Sequence, residues 1–267
     1  MKWRAFSLIE LLIVISIITI LIAIVIPVLG LSRRYAQSVR CESNIKQITL
    51  SFNAYEFKNE AFPYSFYFTT QMVCPPGGFL GNAIYDQSGL WWINFIMEGS
   101  KEDLSSNAVF HCPSGGLKRD IFKDNILVGN YGVNQSVCKG SYSDSQSNDF
   151  TGLPLRSTDI RSPDRTILVV DSGYAVINWY HVTNSPPRPL GKSMEDSSYL
   201  PGLSINKNRN FHRGQEDDAR DGRHVNKTVN VGFVDGHVKR KKAEDLFVEK
   251  TTEDYNNLTP LWKPYEK

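Results

Sequence analysis

The apolar positions fall into three regimes along the chain. From Leu11 to Leu31 there is no charged residue, and Ser16 and Thr19 carry the only polar side chains. Roughly 21 residues at about 1.5 Å per residue make about 30 Å of helix, enough to cross the hydrocarbon core of a bilayer. Ile, Leu and Val also suit a buried strand, but the length of the run and its lack of turn residues favour a membrane helix. Beyond Leu31 the pattern changes while the helix is predicted to continue. Ser32 to Lys58 holds no Pro or Gly, and Cys41, Ile45, Ile48, Phe52 and Tyr55 recur at four- and three-residue spacing. Leu31, Tyr35 and Val39 extend this stripe, while Arg34, Lys46 and Lys58 fall on the other face. That is the pattern of a helix packed on something apolar. A helix from Phe6 to Lys58 would be about 80 Å long, ending at Phe62-Pro63. Pro27 lacks an N–H and crowds the carbonyl of Ala23, so a kink or local melting is expected there.

After Pro63 the pattern becomes short strands and turns. Cys74-Pro-Pro-Gly-Gly reads as a turn, and Leu90 to Ile96 as a short buried element. Val109 to Ser114 reads as a strand ending in a turn, and Ile126 to Val133 as another. Thr166 to Asp171 is the clearest strand, with Asn178 to Val182 expected to pair with it. Residues 142–152 read as a surface loop, and 184–222 as a long irregular excursion. Thr228 to Val234 and His237 to Lys241 flank Asp235-Gly236, a strong hairpin signal. Ala243 to Lys250 reads as a short helix, and Trp262 as an anchor for the tail. The fold class is therefore α+β: a long N-terminal helix packed on an antiparallel β-sheet head.

The composition is that of a globular protein, at 41% hydrophobic and 22% charged residues. The formal charge is +2. Loss of residues 1–5 would take Lys2 and Arg4 from the 30 basic residues, leaving 28 against 28 acidic ones. Such balance gives no nucleic-acid footprint. Arg33, Arg34 and Arg40 also flank the span, so charge alone does not orient it.

One acid, Glu10, interrupts the start of the apolar stretch, and a charge there is costly and by default functional. A removable secretory signal would explain Lys2 and Arg4. However, the apolar region exceeds the usual length, and only Gly30-Leu31-Ser32 loosely resembles a cleavage site. A plain membrane anchor leaves Glu10 without a role.

The stretch Ala5-Phe6-Ser7-Leu8-Ile9-Glu10, followed by Leu11-Leu12-Ile13-Val14, resembles the processing site of type IV pilins and type II secretion pseudopilins. The resemblance implies cleavage between Ala5 and Phe6 by a membrane prepilin peptidase and N-methylation of Phe6. It also implies an assembly role for Glu10 and a helix proline at Pro27. Ala and Ser stand where the family usually has Gly and Thr. The amine of Phe6 would meet Glu10 of a neighbouring helix, since a buried charge is tolerable when paired. The chain would then divide into a leader (1–5), a transmembrane helix (6–31), its amphipathic continuation (32–62) and an extracytoplasmic head (63–267). Its partners would be the peptidase, other pilin or pseudopilin subunits and the inner-membrane assembly machinery. The short N-terminus would be cytoplasmic, and the head would end in a periplasmic or surface filament.

Further segments resemble one pilin-like group. Arg40-Cys41 through Asn44-Ile45-Lys46-Gln47 lies in the helix. Phe110-His-Cys-Pro-Ser, Asn130-Tyr131-Gly132-Val133-Asn134, Ser162-Pro-Asp-Arg-Thr and Arg223-His224 through Asp235-Gly236-His237 follow in the same order. That group carries a prepilin-type processing-associated domain with a His, nine residues, then Asp-Gly. Here ten residues separate His224 from Asp235, and a bulge or longer turn near Asn226-Lys227 is expected to absorb the extra one.

Four constellations bear on chemistry. Cys41, Cys74, Cys112 and Cys138 are an even number in an exported domain, which suggests two disulfides. Cys112 is the candidate partner of Cys41, leaving Cys74 with Cys138. Zinc spacings such as Cys-x-x-Cys are absent. His224, Asp235 and His237 have metal-ligand side chains, but a turn separates the last two, so His224 and Asp235 are expected to satisfy each other or backbone groups. Glu216 with Asp217, Asp218 and Asp221 offers oxygen ligands for calcium without the Asp-x-Asp-x-Asp-Gly spacing, and a solvated charged loop is the preferred account of these acids. No Gly-x-Ser-x-Gly, supported Cys-His arrangement or phosphate loop is present, so neither an enzyme nor a resident cofactor is expected. The alternative is an anchored extracytoplasmic binding module or enzyme that uses the helix only as an anchor.

Overall fold

A computed structural model describes residues 7–69, 89–97, 108–115, 126–127, 129–141, 149–182, 203, 221–250, 255–256 and 262–265. Helix α1 runs from Leu8 to Asn59, unbroken through Pro27. The expected local melting does not occur: the turns on either side of the proline keep their own hydrogen bonds. Ser7 caps the N-terminus and Glu60, at φ 60°, closes the C-terminus in the left-handed region.

The helix has two environments. Every residue from Leu8 to Ala36 is exposed, and the stretch is long and apolar enough to cross a membrane. Burial begins at Ser38 and continues through Cys41, Asn44, Ile45, Ile48, Thr49 and Phe52. The predicted stripe is thus shorter at its upper end: Leu31 and Tyr35 precede the first buried residue, and Val39, between buried Ser38 and Cys41, lies on the exposed face.

The helix lies against a five-stranded sheet. In chain order its strands are β3 (Tyr131–Asn134), β4 (Ile167–Asp171), β5 (Val176–Ile177), β6 (Thr228–Phe233) and β7 (Val238–Lys242). Two short strands precede it, β1 (Phe66–Phe68) and β2 (Gly89–Trp91), and β2 leads into α2 (Trp92–Ile96). The spatial order is β5-β3-β4-β6-β7. Pairing is antiparallel except between β3 and β5, which run parallel.

Several elements differ from the sequence reading. Val109 to Ser114 forms a single 3₁₀ turn (Ala108–Phe110) and a bend rather than a strand. The chain is held there by Asn44, whose Nδ2 donates to the carbonyls of Ala108 at 3.3 Å and His111 at 3.1 Å. The strand expected from Ile126 begins at Tyr131, and the one expected from Asn178 is a 3₁₀ turn preceded by β5, which pairs with β3 rather than β4. Ala243 to Leu246 forms a 3₁₀ turn in place of the expected helix.

Alternation along β6 puts its side chains on two faces. Val229, Val231 and Phe233 join Ile167, Val170, Leu246 and Trp262 on the face away from the helix. Trp262 anchors the tail there by donating from Nε1 to Leu246 O at 2.8 Å. The other face meets the helix through Asn230 and Gly232. A Cβ on Gly232 would lie 2.2 Å from Thr49 Oγ1, so helix and strand approach closely only because that side chain is absent. Phe52, Trp92 and Phe110 complete this inner core as tilted and edge-on ring pairs.

Candidate functional site

A polar cluster is sealed between the helix and the end of the sheet. Its centre is Asp171, the last residue of β4 and fully buried. Asp171 Oδ2 accepts the backbone N–H of Asn230 at 2.6 Å and lies 2.8 Å from His224 Nε2. Its Oδ1 faces the Arg223 guanidinium at 3.7 Å, and both side chains are almost wholly inaccessible. Arg223 also donates to the carbonyls of Asn130 and Ser172. Ser114 Oγ lies 3.1 Å from His224 Nδ1, so both ring nitrogens of His224 have partners. Asn230 Nδ2 reaches the helix, donating to Ser38 O at 3.3 Å.

Burial alone would raise the carboxyl pKa of Asp171. The charge and hydrogen bond of His224, the Arg223 cation and the Asn230 N–H outweigh it and hold Asp171 below the ordinary value. Burial opposes the charge on Arg223 as well, but Cys112 and Asp171 beside it keep it more firmly protonated than usual.

The two sulfurs of the cluster are Cys41 from the helix and Cys112 from the 3₁₀ bend, with their Sγ atoms 2.7 Å apart and both side chains buried. Cys112 N–H donates to Asn130 Oδ1 at 2.8 Å, which fixes the bend. Asn44, one turn along the helix from Cys41, donates to Tyr131 Oη at 3.1 Å.

Cys41, Cys112, Asp171 and His224 have ligand atoms within 4.8 Å of one another, a donor set that zinc accepts by residue type. The geometry does not fit it. Two thiolates on tetrahedral zinc at about 2.3 Å sit roughly 3.7 Å apart, much farther than these sulfurs. His224 and Asp171 are in direct hydrogen-bond contact, and Arg223 supplies the compensating positive charge.

The Asp-Gly hairpin closes the other end of the same interface. Gly236, at φ 92°, accepts Lys46 Nζ at 2.6 Å, and a Cβ there would stand 2.9 Å from Asn53 Nδ2. Asp235 does not meet His224; of the two expected arrangements it takes the one with a backbone group. Asp235 Oδ1 accepts the backbone N–H of His237 at 3.0 Å and contacts His237 Nδ1 at 2.5 Å. His224 takes Asp171 instead because the chain turns left-handed at Asn226 and Lys227, φ 62° and 55°, and folds His224 back onto Thr228. Asp235 N–H donates to Pro163 O at 3.2 Å, joining the hairpin to the Ser162–Thr166 turn.

No family model, curated protein or solved structure matches this chain.

The remaining predicted residues scatter. Ala5, Phe6, Cys74, Asp217 and Asp218 lie outside the described residues, so the cleavage site, the Cys74–Cys138 pair and most of the calcium set do too. Asp221 is exposed, and Cys138 is buried. Glu10 accepts the backbone N–H of Ser7 at 2.9 Å while Ser7 Oγ accepts from Ile9, a reciprocal capping box. Sequence reasoning missed Asp171 as the hub. The signal was present: one carboxylate ending a strand that is otherwise wholly apolar.

Proposed function

We propose that this chain is a structural subunit of a type IV pilus-like or type II secretion pseudopilus filament. It is made as a precursor, cleaved after Ala5, methylated at Phe6 and assembled through its helix. The observation that carries the reading is the two-part character of α1. Its first half is apolar and entirely unburied, and its second half is the spine of the head, with no break between them. Such a first half needs lipid or other helices around it, and a packed bundle of like helices supplies the latter once the subunit leaves the membrane. The processing-site resemblance around Phe6 and Glu10 adds direction: head extracytoplasmic, short N-terminus cytoplasmic. In the assembled state Glu10 would pair with the Phe6 amine of the next subunit.

A second reading has its own support. The capping box gives Glu10 a local partner, so a plain anchor carrying an extracytoplasmic binding module also accounts for it. The N-terminus discriminates between the two. Mass spectrometry of the protein purified from its own membranes is expected to find a chain starting at N-methylated Phe6. A chain starting at Met1 rejects the filament reading.

A further inference from the structure

We propose that Cys41 and Cys112 are joined in the exported protein by a disulfide that rivets the long helix to the head. The two sulfurs lie 2.7 Å apart, closer than unbonded sulfurs pack, at residues 71 positions apart in sequence. Each is delivered by an element that other contacts already fix. Cys41 stands on the buried face of α1, between Ser38 and Asn44. Cys112 is held by the Asn130 amide oxygen, and its own carbonyl accepts Gly115 N–H at 2.7 Å. The sulfurs stand at 2.7 Å, so closing to the bond length of about 2.05 Å is a displacement of well under 1 Å.

The surroundings suit the chemistry. Burial would raise the Cys112 thiol, but the contact with Cys41 and the Arg223 cation bring it down to about 7. Cys41 moves in the opposite direction, raised by its contact with Cys112 and by burial. In the closed pair these shifts leave Cys112 the more readily ionised sulfur. The oxidant is a protein disulfide of the extracytoplasmic compartment. A cysteine thiolate of this chain attacks that disulfide to give a mixed disulfide and releases one oxidant thiolate. The second cysteine, losing its proton, displaces the other oxidant sulfur. Two thiols have then lost two electrons and two protons, and the oxidant has become a dithiol. Because both sulfurs are covered in the folded chain, this happens while helix and head are still closing on each other.

The bond would sit about 15 Å of helix beyond Leu31, where the exposed apolar run ends. Pull applied to the head would then pass into the helix through a covalent link as well as through packing. This holds whether the helix is a filament core or an anchor, and it rests on the proposed placement of the head outside the cytoplasm.

The test is peptide mapping of the full-length protein, extracted from membranes in the presence of an alkylating agent and without reductant. The expected result is a Cys41 peptide linked to a Cys112 peptide, which separates on reduction, and a lowered thermal midpoint in reductant. Alkylation of both sulfurs in the unfolded, unreduced protein overturns the proposal. So does linkage of either cysteine to Cys74 or Cys138, or native mass spectrometry showing bound zinc with both thiols free. Cys41→Ser and Cys112→Ser provide the second measurement. Each is expected to lower the midpoint about as much as the double variant does, since either removes the same bond; additive losses from the two would overturn it.

Discussion

Replacing Asp171 with Asn tests the buried cluster most directly. The change preserves shape and leaves an acceptor for one of the N–H groups that Asp171 serves. It removes the charge opposite Arg223, whose side chain is about 1% exposed. Breaking a buried pair from one side costs about 3–5 kcal/mol, because the remaining charge is left without compensation. Asn keeps part of the hydrogen bonding, so the lower end, about 3 kcal/mol, is expected. With a urea slope of about 2–3 kcal/mol/M, that moves the unfolding midpoint down by about 1–1.5 M. The assay is urea unfolding of the full chain in detergent, followed by tryptophan fluorescence, since Trp91, Trp92, Trp179 and Trp262 are all buried in the head. Acid gives an independent check. The Asp171 carboxyl is held below its ordinary value, so its contribution is complete above about pH 4 and is lost as pH falls through the folded-state pKa. The gap between wild type and Asp171→Asn should therefore be full at pH 7 and begin to narrow only below the ordinary carboxylate range. A midpoint shift under about 0.5 M at pH 7, or a gap that widens as the pH is lowered, refutes the reasoning.

Two further substitutions probe the helix–sheet contact and the N-terminus. Gly232→Ala places a methyl group against Thr49, Val169 and Ile45, and should cost about 1–3 kcal/mol of head stability as an overpacked interface. Urea unfolding reads it, and an unchanged midpoint would mean the helix sits farther from β6 than described. Glu10→Gln keeps an oxygen to accept the Ser7 N–H but removes the negative charge. Membrane extraction should be unaffected while filament or cross-linked oligomer yield is lost; normal assembly would remove Glu10 from the proposed contact.

The long helix was legible in the sequence almost to the residue, because a charge-free run and a three-four stripe are local patterns. The hairpin was legible for the same reason: alternation around Asp235-Gly236 produces β6 and β7 with the turn between Phe233 and Val238. What failed was decided at a distance. Val109 to Ser114 has the composition of a strand, yet Asn44 of the helix captures its carbonyls and bends it. The apolar stripe could not reveal where the head stops, since Leu31 and Tyr35 have the four-residue spacing of Cys41 and Ile45 and yet are exposed. Sequence offered His224 either Asp235 or backbone groups as partners, whereas β4 brings Asp171 from 53 residues away.

The resembling segments prove to be each other's partners, and this bears on what they do. Asn44 and Lys46 of the helix reach the 108–112 bend and Gly236; Ser114 meets His224; Asn130 holds both Cys112 and Arg223; the Ser162–Thr166 turn takes Asp235. Asn44 and Lys46 thereby tie the helix to the head, while the other contacts tie the segments of the head to one another. The least engaged part of the described chain is the exposed apolar half of α1 and the acid at its start. A carboxylate has two oxygens and about four lone-pair positions, and the Ser7 N–H occupies one of them. The cap therefore does not compete with an incoming amine: Glu10 can close its own helix and still present charge to a neighbour. A residue needed only for capping could be Gln as well as Glu, so the negative charge is the part of Glu10 that the capping box leaves unexplained.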